Sequence, residues 1–179
     1  MATINDLPAG TWTVDASHSE LGFVARHLMV TKVRGSFKEF EGSVKVGDDI
    51  ADSQVSAVAQ LASIETGSAD RDAHLRSADF FDVENNPTMS FTSTEVTTDS
   101  IKGDLTIKGV TKPVTFDLEV NGIERDPWGN TRSGFTLTGS ILRKEFGMEY
   151  NAILESGGVM VGDKVNIEID VEAVLNKPE

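Results

Sequence analysis

Cysteine is absent from all 179 residues, which excludes disulfides, thiolate zinc sites, cysteine nucleophiles and redox dithiols together. Tyrosine occurs once and tryptophan twice, against nine phenylalanines, so most rings carry no polar handle. Basic residues are also scarce: 16 Lys and Arg face 29 Asp and Glu, a net charge of −13. That sign repels phosphate backbones and anionic headgroups, and argues against nucleic acid as a partner. A split at residue 89 leaves −7 on the N-terminal side and −6 on the other, so no basic arm is expected within the total. No apolar run approaches the ~18 residues of a membrane span. Met1 to Gly10 shows neither the basic stretch nor the apolar run of a secretory signal, and the expectation is a cytoplasmic protein.

What is present is ordinary for a globule: 39% hydrophobic and 25% charged residues. The length suits one domain over 1–179, with a core over about 10–174 that buries close to ~70% of the chain's surface. Period-two alternation dominates, as strands with one dry face require. Val165, Ile167, Ile169, Val171 and Ala173 alternate with Asn166, Glu168, Asp170 and Glu172; Val114, Phe116, Leu118 and Val120 alternate with Thr115, Asp117 and Glu119. Ile101, Leu105 and Ile107, then Phe135, Leu137 and Ile141, follow the same rule. Turn signals separate these runs at Gly47-Asp48-Asp49, Asp99-Ser100, Asp126 to Asn130 and Ser156-Gly157-Gly158. The pattern predicts an all-β sandwich or barrel. One short helix is expected between Thr66 and Ala78, capped by Ser68 on the amide of Arg71, with Ala69, Ala73 and Leu75 as its inner face. A weaker helical turn is expected at Leu142 to Phe146, closed by Gly147.

Phosphate loops, dinucleotide fingerprints, HExxH and GxSxG are all missing, so enzyme signatures return nothing. In Ser17-His18-Ser19, neighbours on a strand point to opposite faces and do not make a base and nucleophile without a bend. Three imidazoles, His18, His27 and His74, could in principle meet at a metal or haem, although nothing in their spacing demands it. The phenylalanines Phe23, Phe37, Phe40, Phe80, Phe81, Phe91, Phe116, Phe135 and Phe146 fall on nearly every predicted strand and at the helix exit. They converge inside either as a filled core or as the lining of a ligand cavity. Asp70, Arg71, Asp72, His74, Arg76, Asp79 and Asp82 surround Leu75, Phe80 and Phe81. Such a group is either a solvated helix face or the polar end of a site for an amphiphile.

Ordered motifs then point to a family. They are Trp12-Thr13-Val14-Asp15 with His18-Ser19, Phe23 and His27; Gly35-Ser36-Phe37 with Phe40 and Gly42; and Arg71 to Asp82. Pro87 with Phe91, Gly103 to Val114, and Arg143 with Phe146-Gly147 continue the series. Over roughly residues 10–174 this resembles the YceI-like family of polyisoprenoid-binding, lipocalin-like proteins. The resemblance implies an extended antiparallel barrel of about eight strands, a helix near one end, and an isoprenoid-type lipid held inside. It favours a cavity lined by those nine phenylalanines and Leu75. His18, Arg71, His74 and Arg143, cations or imidazoles within the matched motifs, are the candidates to meet a phosphate, quinone or phenol head. The implied role is non-catalytic binding, storage or transport, with no cofactor and no resident metal. A homodimer is also implied. A haem- or metal-binding barrel and an enzyme acting on a small apolar substrate are the alternatives.

Overall fold

The computed structural model describes residues 2–28, 30–151 and 161–177; the turn read at Ser156-Gly157-Gly158 lies outside them. Its elements are β1 (Gly10–Val14), β2 (Glu20–His27), β3 (Thr31–Phe37), β4 (Phe40–Val46), β5 (Gln54–Gln60), β6 (Ile64–Glu65), α1 (Ala69–Arg76), β7 (Thr88–Val96), β8 (Ser100–Ile107), β9 (Val110–Arg125), β10 (Thr131–Leu142) and β11 (Lys164–Leu175). Every pairing is antiparallel, in the order β1-β4-β5-β7-β8-β9-β10-β11-β2-β3-β6, and a further β1–β11 pairing closes the ring.

Eight staves make the closed barrel, because three of them are strands interrupted partway. β1 and β2 both lie along β11, with Val14 opposite Ala173 and Glu20 opposite Asp170. The chain therefore gains three residues on its partner between those two points. The extra length is a 3-10 turn, Ala16–His18, capped by the Asp15 carboxylate on the Ser17 amide. Ser19 pins it across the ladder: its hydroxyl donates to the Asp15 carbonyl and accepts from the Glu172 amide at 3.0 Å. Next to it, β3 and β4 form one stave broken at Lys38-Glu39, and β5 and β6 one broken by the 3-10 turn Leu61–Ser63.

The opposite wall, β8 to β10, is continuous. The Lys108-Gly109 link between β8 and β9 has positive φ at both positions, 54° and 74°, the two-residue turn whose twist matches the strands it joins. Val114, Phe116, Leu118 and Val120 of β9 are all buried, as their alternation predicts. One end of the barrel is packed solid around Trp12, which is 0% exposed, with Ile4, Leu7, Val44, Val96, Leu118, Phe135 and Ala173. The Trp12 indole N–H, which needs a partner when buried, donates to the Pro8 carbonyl.

α1 lies at the other end. Ser68 caps it on the Arg71 amide as expected, but the inner face differs from the expectation. Ala69 and Ala73 are exposed; Asp72 is buried and Leu75 half-buried. The helix is anchored through polar groups: the Asp72 carboxylate accepts from both the amide and the hydroxyl of Thr66. An eight-residue helix has little apolar stripe to offer, and this buried carboxylate holds it in place. The turn expected near Leu142 is a 3-10 helix, Arg143–Phe146, ended by Gly147 at φ 80°.

Candidate functional site

The barrel encloses a cavity of about 230 Å³, the volume of roughly eight waters at the ~30 Å³ each takes in the liquid. Its walls are inward side chains of almost every strand, including Leu21, Phe23, Ala57, Leu137, Ile167 and Ile169. Two kinds of inward residue are distinguishable. Those of β9 are buried by neighbours, whereas Val165, Ile167, Ile169 and Val171 of β11 alternate faithfully yet keep partial exposure, because they border open space.

The room comes from small residues. Gly42 and Ala57 face each other across β4 and β5, and Ala57 in turn pairs with Phe91 of β7. Three further glycines let aromatic rings lie flat against the wall. A Cβ at Gly35 would sit 2.4 Å from the Phe23 ring, at Gly103 2.5 Å from Phe91, and at Gly139 2.9 Å from Phe116. Flat rings line a lumen where upright ones would fill it. The rings also support one another, Phe23 against Phe37 at 5.7 Å, Phe37 against Phe81 at 5.8 Å and Phe91 against Phe116 at 5.4 Å.

Of the ten residues expected to line a cavity, Phe23, Phe37, Phe40, Leu75, Phe80, Phe81, Phe91, Phe116 and Phe135 do so. Phe146 does not. The 3-10 turn seats it deeper, against the inner side of β8 and β9, where it packs, 1% exposed, with Leu105, Ile107, Val114 and Met148.

The four expected head-group residues are not brought together. His18 lies on the β1–β2 turn, exposed, with Nδ1 at 2.9 Å from Asp15 and 3.5 Å from Glu172, and it does not line the cavity. Arg71 is exposed and folded back on Thr66, donating through Nε to its hydroxyl and through Nη2 to its carbonyl. His74 stands at the helix end of the barrel, 2.8 Å from the Asp79 carboxylate. It forms a cluster of edge-on rings with Phe80 and Tyr150, at 5.1 and 4.9 Å. Arg143 alone of the four lines the cavity, 3% exposed.

Burial pushes the Arg143 guanidinium below its usual pKa, and carbonyls offset that cost. Nε donates to Gly162, and Nη1 to Met148 and Tyr150 at 2.7 and 2.8 Å. Nη2 has weaker partners, the Val161 carbonyl at 3.4 Å and Asp163 at 3.7 Å. Arg143 therefore clamps the chain after the 3-10 turn, at Met148 and Tyr150, to the stretch entering β11, at Val161 to Asp163, beside the cavity. Tyr150, the lone tyrosine, gave no signal in the sequence beyond its rarity. Gly42 entered only as part of a family motif, and Ala57 gave no signal.

Asp15, His18 and Glu172 have the ligand types of a metal site, but Arg132 already serves that cluster. Its Nη1 lies 2.9 Å from Asp15 and 3.2 Å from Glu172, and its Nε 2.7 Å from Asp126. Hydrogen bonds from Ser17, His18 and Arg132 hold the Asp15 carboxyl well below its ordinary range. Arg132 brings Asp126 down to about 2. The cluster ties the β1–β2 turn to the β9–β10 loop and to β11. A carboxylate facing the lumen would be the mark of an enzyme; Glu41 is the one acidic residue along the wall among the described residues, and it is exposed.

Relatives of known sequence and structure share this architecture. A UPF0312 protein of Staphylococcus epidermidis is 43% identical over 162 residues, covering 88% of this chain and 94% of its own. The crystal structure of BcnA from Burkholderia cenocepacia superposes with a TM-score of 0.77 at 23% identity, covering 89% of this chain and 98% of that one. A domain from Saccharophagus degradans, described as polyisoprenoid binding and implicated in plant cell wall breakdown, gives 0.72 at 15% identity, covering 92% and 98%. Because the YceI-like domain model matches residues 12–173, nearly the entire barrel described above, the chain belongs to that family.

Proposed function

We propose that this protein binds an isoprenoid-type amphiphile, such as a polyprenyl phosphate or a quinone, inside its barrel as a store or carrier, without catalysis. The observation that carries this reading is the unfilled aliphatic and aromatic wall, held open by glycines beneath its rings. The Saccharophagus degradans domain, alike in fold, is described as binding polyisoprenoids. Burying one five-carbon unit gains roughly 4 kcal/mol at ~0.8 kcal/mol per methylene. About four units would exceed the ~4–15 kcal/mol lost to immobilisation, so the tail supplies the affinity. Arg143, which lines the cavity, and His74 with Tyr150, whose rings meet the lining Phe80, are the groups we assign to the head; His18 and Arg71 do not line the cavity.

Native mass spectrometry of gently purified protein, followed by organic extraction, tests the reading. A discrete added mass that extracts as a prenyl lipid or quinone is the expected result. An unliganded mass that also fails to shift with added farnesol, geranylgeraniol or a short-chain quinone would overturn it.

A further inference from the structure

We propose that the β2–β3 hairpin docks on an anionic lipid bilayer and that cargo passes along it between membrane and barrel. The passage of cargo rests on the lipid-binding reading; the docking does not.

The whole-chain charge conceals this hairpin. Residues 21–38 contain Arg26, Lys32, Arg34 and Lys38 and no acidic residue, although the chain as a whole carries −13. The expectation of no basic arm fails here, because halving the sequence averages the segment with its acidic flanks. Three of these cations are neighbours in space. Arg26 and Lys32 are directly opposite across the two strands, and Arg34 faces Val24, one step along the same face. Like charges directly opposite weaken a sheet, so the pairing does not serve the fold. Arg34 reaches Glu168 at 3.5 Å, both exposed. Arg26 and Lys32 have no side-chain partner among the described residues.

Two apolar residues at the tip of the hairpin are exposed. Val30 is 73% accessible and Leu28 37%, with Leu28 held at a φ of 54°. Basic residues along an edge strand also guard against edge-to-edge aggregation, and Lys32 and Arg34 do lie on such an edge, since β3 pairs with β6 only at Ser36 and Phe37. That role covers neither Arg26 on β2 nor an apolar tip. An apolar tip with a collar of cations on one element is the pattern of a surface that enters an interface and is attracted to anionic headgroups.

The hairpin is also continuous with the cavity. Leu21, Phe23 and Ala25 on its inner face line the lumen. Just behind the tip it bridges from His27 to Val161, itself a lining residue, and the Arg26 carbonyl accepts from the Gly162 amide. A chain leaving a bilayer at Val30 meets apolar wall directly behind it.

Co-sedimentation with vesicles tests the docking. Wild-type protein should bind vesicles of equal parts phosphatidylcholine and phosphatidylglycerol, not phosphatidylcholine alone, with affinity that falls as salt rises. Arg26→Ala and Lys32→Ala should each weaken binding about fivefold, and Val30→Asp should weaken it further. All three should take up farnesol from solution as wild type does. Equal binding to both vesicle types, or variants that bind like wild type, overturns the proposal. So does ultracentrifugation showing that Val30→Asp converts a dimer to a monomer, which would give the surface to a second copy of the chain. Should the variants fail to fold, the salt and lipid dependence of the wild type still decides. Wild type that sediments with anionic vesicles yet takes up no isoprenoid would instead remove the proposed function and leave docking standing.

Discussion

Replacing Ala57 with leucine separates a hollow barrel from a packed one by the sign of a single stability change. Ala57 points inward between Gly42 and Phe91 and lines the cavity. Leucine adds about three methylene equivalents there, worth roughly 2 kcal/mol at ~0.8 kcal/mol each if the space they enter is open. In a close-packed interior the same atoms cost about 1–3 kcal/mol through displaced side chains and backbone. For a domain of this size each kcal/mol moves the midpoint by about 2–4 °C. The expected Ala57→Leu variant therefore melts about 4–8 °C higher than wild type when both are freed of lipid. Differential scanning calorimetry on delipidated protein reads the shift, and a titration with geranylgeraniol should show weakened binding in the same variant. A melting point lowered by several degrees would refute the reasoning, since it would mean that the lumen has no room.

Gly35→Ala places a methyl group 2.4 Å from the Phe23 ring, so the ring should swing into the lumen. Isoprenoid affinity falls at least tenfold with only a modest loss of stability, seen by comparing titration with thermal melts. Arg143→Ala leaves the Met148, Tyr150 and Gly162 carbonyls without their charged donor. It should cost about 3–5 kcal/mol in urea unfolding, given ~1.5–3 kcal/mol for each such bond and partial replacement by water. Asp126 is held at about 2 by Arg132, below its ordinary 3.8, so the stability it contributes is full above about pH 5 and is lost as pH falls through about 2. Arg132→Gln should be less stable at neutral pH and lose less on acidification over that window, as denaturation midpoints measured across it would show.

The strands that alternate without interruption were legible from sequence alone. Val114 to Val120 and Val165 to Ala173 take the faces that their spacing dictates, because a two-residue period leaves one solution when one side must be dry. The breaks in the staves were not legible. Asp15 to Ser19 reads like part of a strand, and only the partner β11, some 150 residues later, shows that three residues are surplus. Helix α1 was found by its cap, yet its inner face was misassigned, since the carboxylate of Asp72 is buried by a local bargain with Thr66 that apolar spacing does not encode. Phe146 and Phe116 look alike in composition; a 3-10 turn ending in Gly147 sends the first away from the lumen. Glycines beneath rings escape notice for the same reason: the matching of Gly35 to Phe23 is a fact of register.

The three broken staves are neighbours, and their interruptions fall side by side. Phe40 pairs with Ala59 below the break and Phe37 with Ile64 above it, while the β1–β2 turn adjoins them on the other side. A fault line thus crosses one side of the barrel at a single height. Above it, β2, β3 and β6 form a panel whose ladder to the rest of the barrel runs through β11 alone, since β7 pairs with β5 and not with β6. Such a panel can lean outward by bending at points where no ladder bond exists to be stretched. That side of the wall is therefore tied to the rest by one ladder fewer than the continuous wall opposite, and a lipid of the class proposed above would find its give there rather than in β8 to β10.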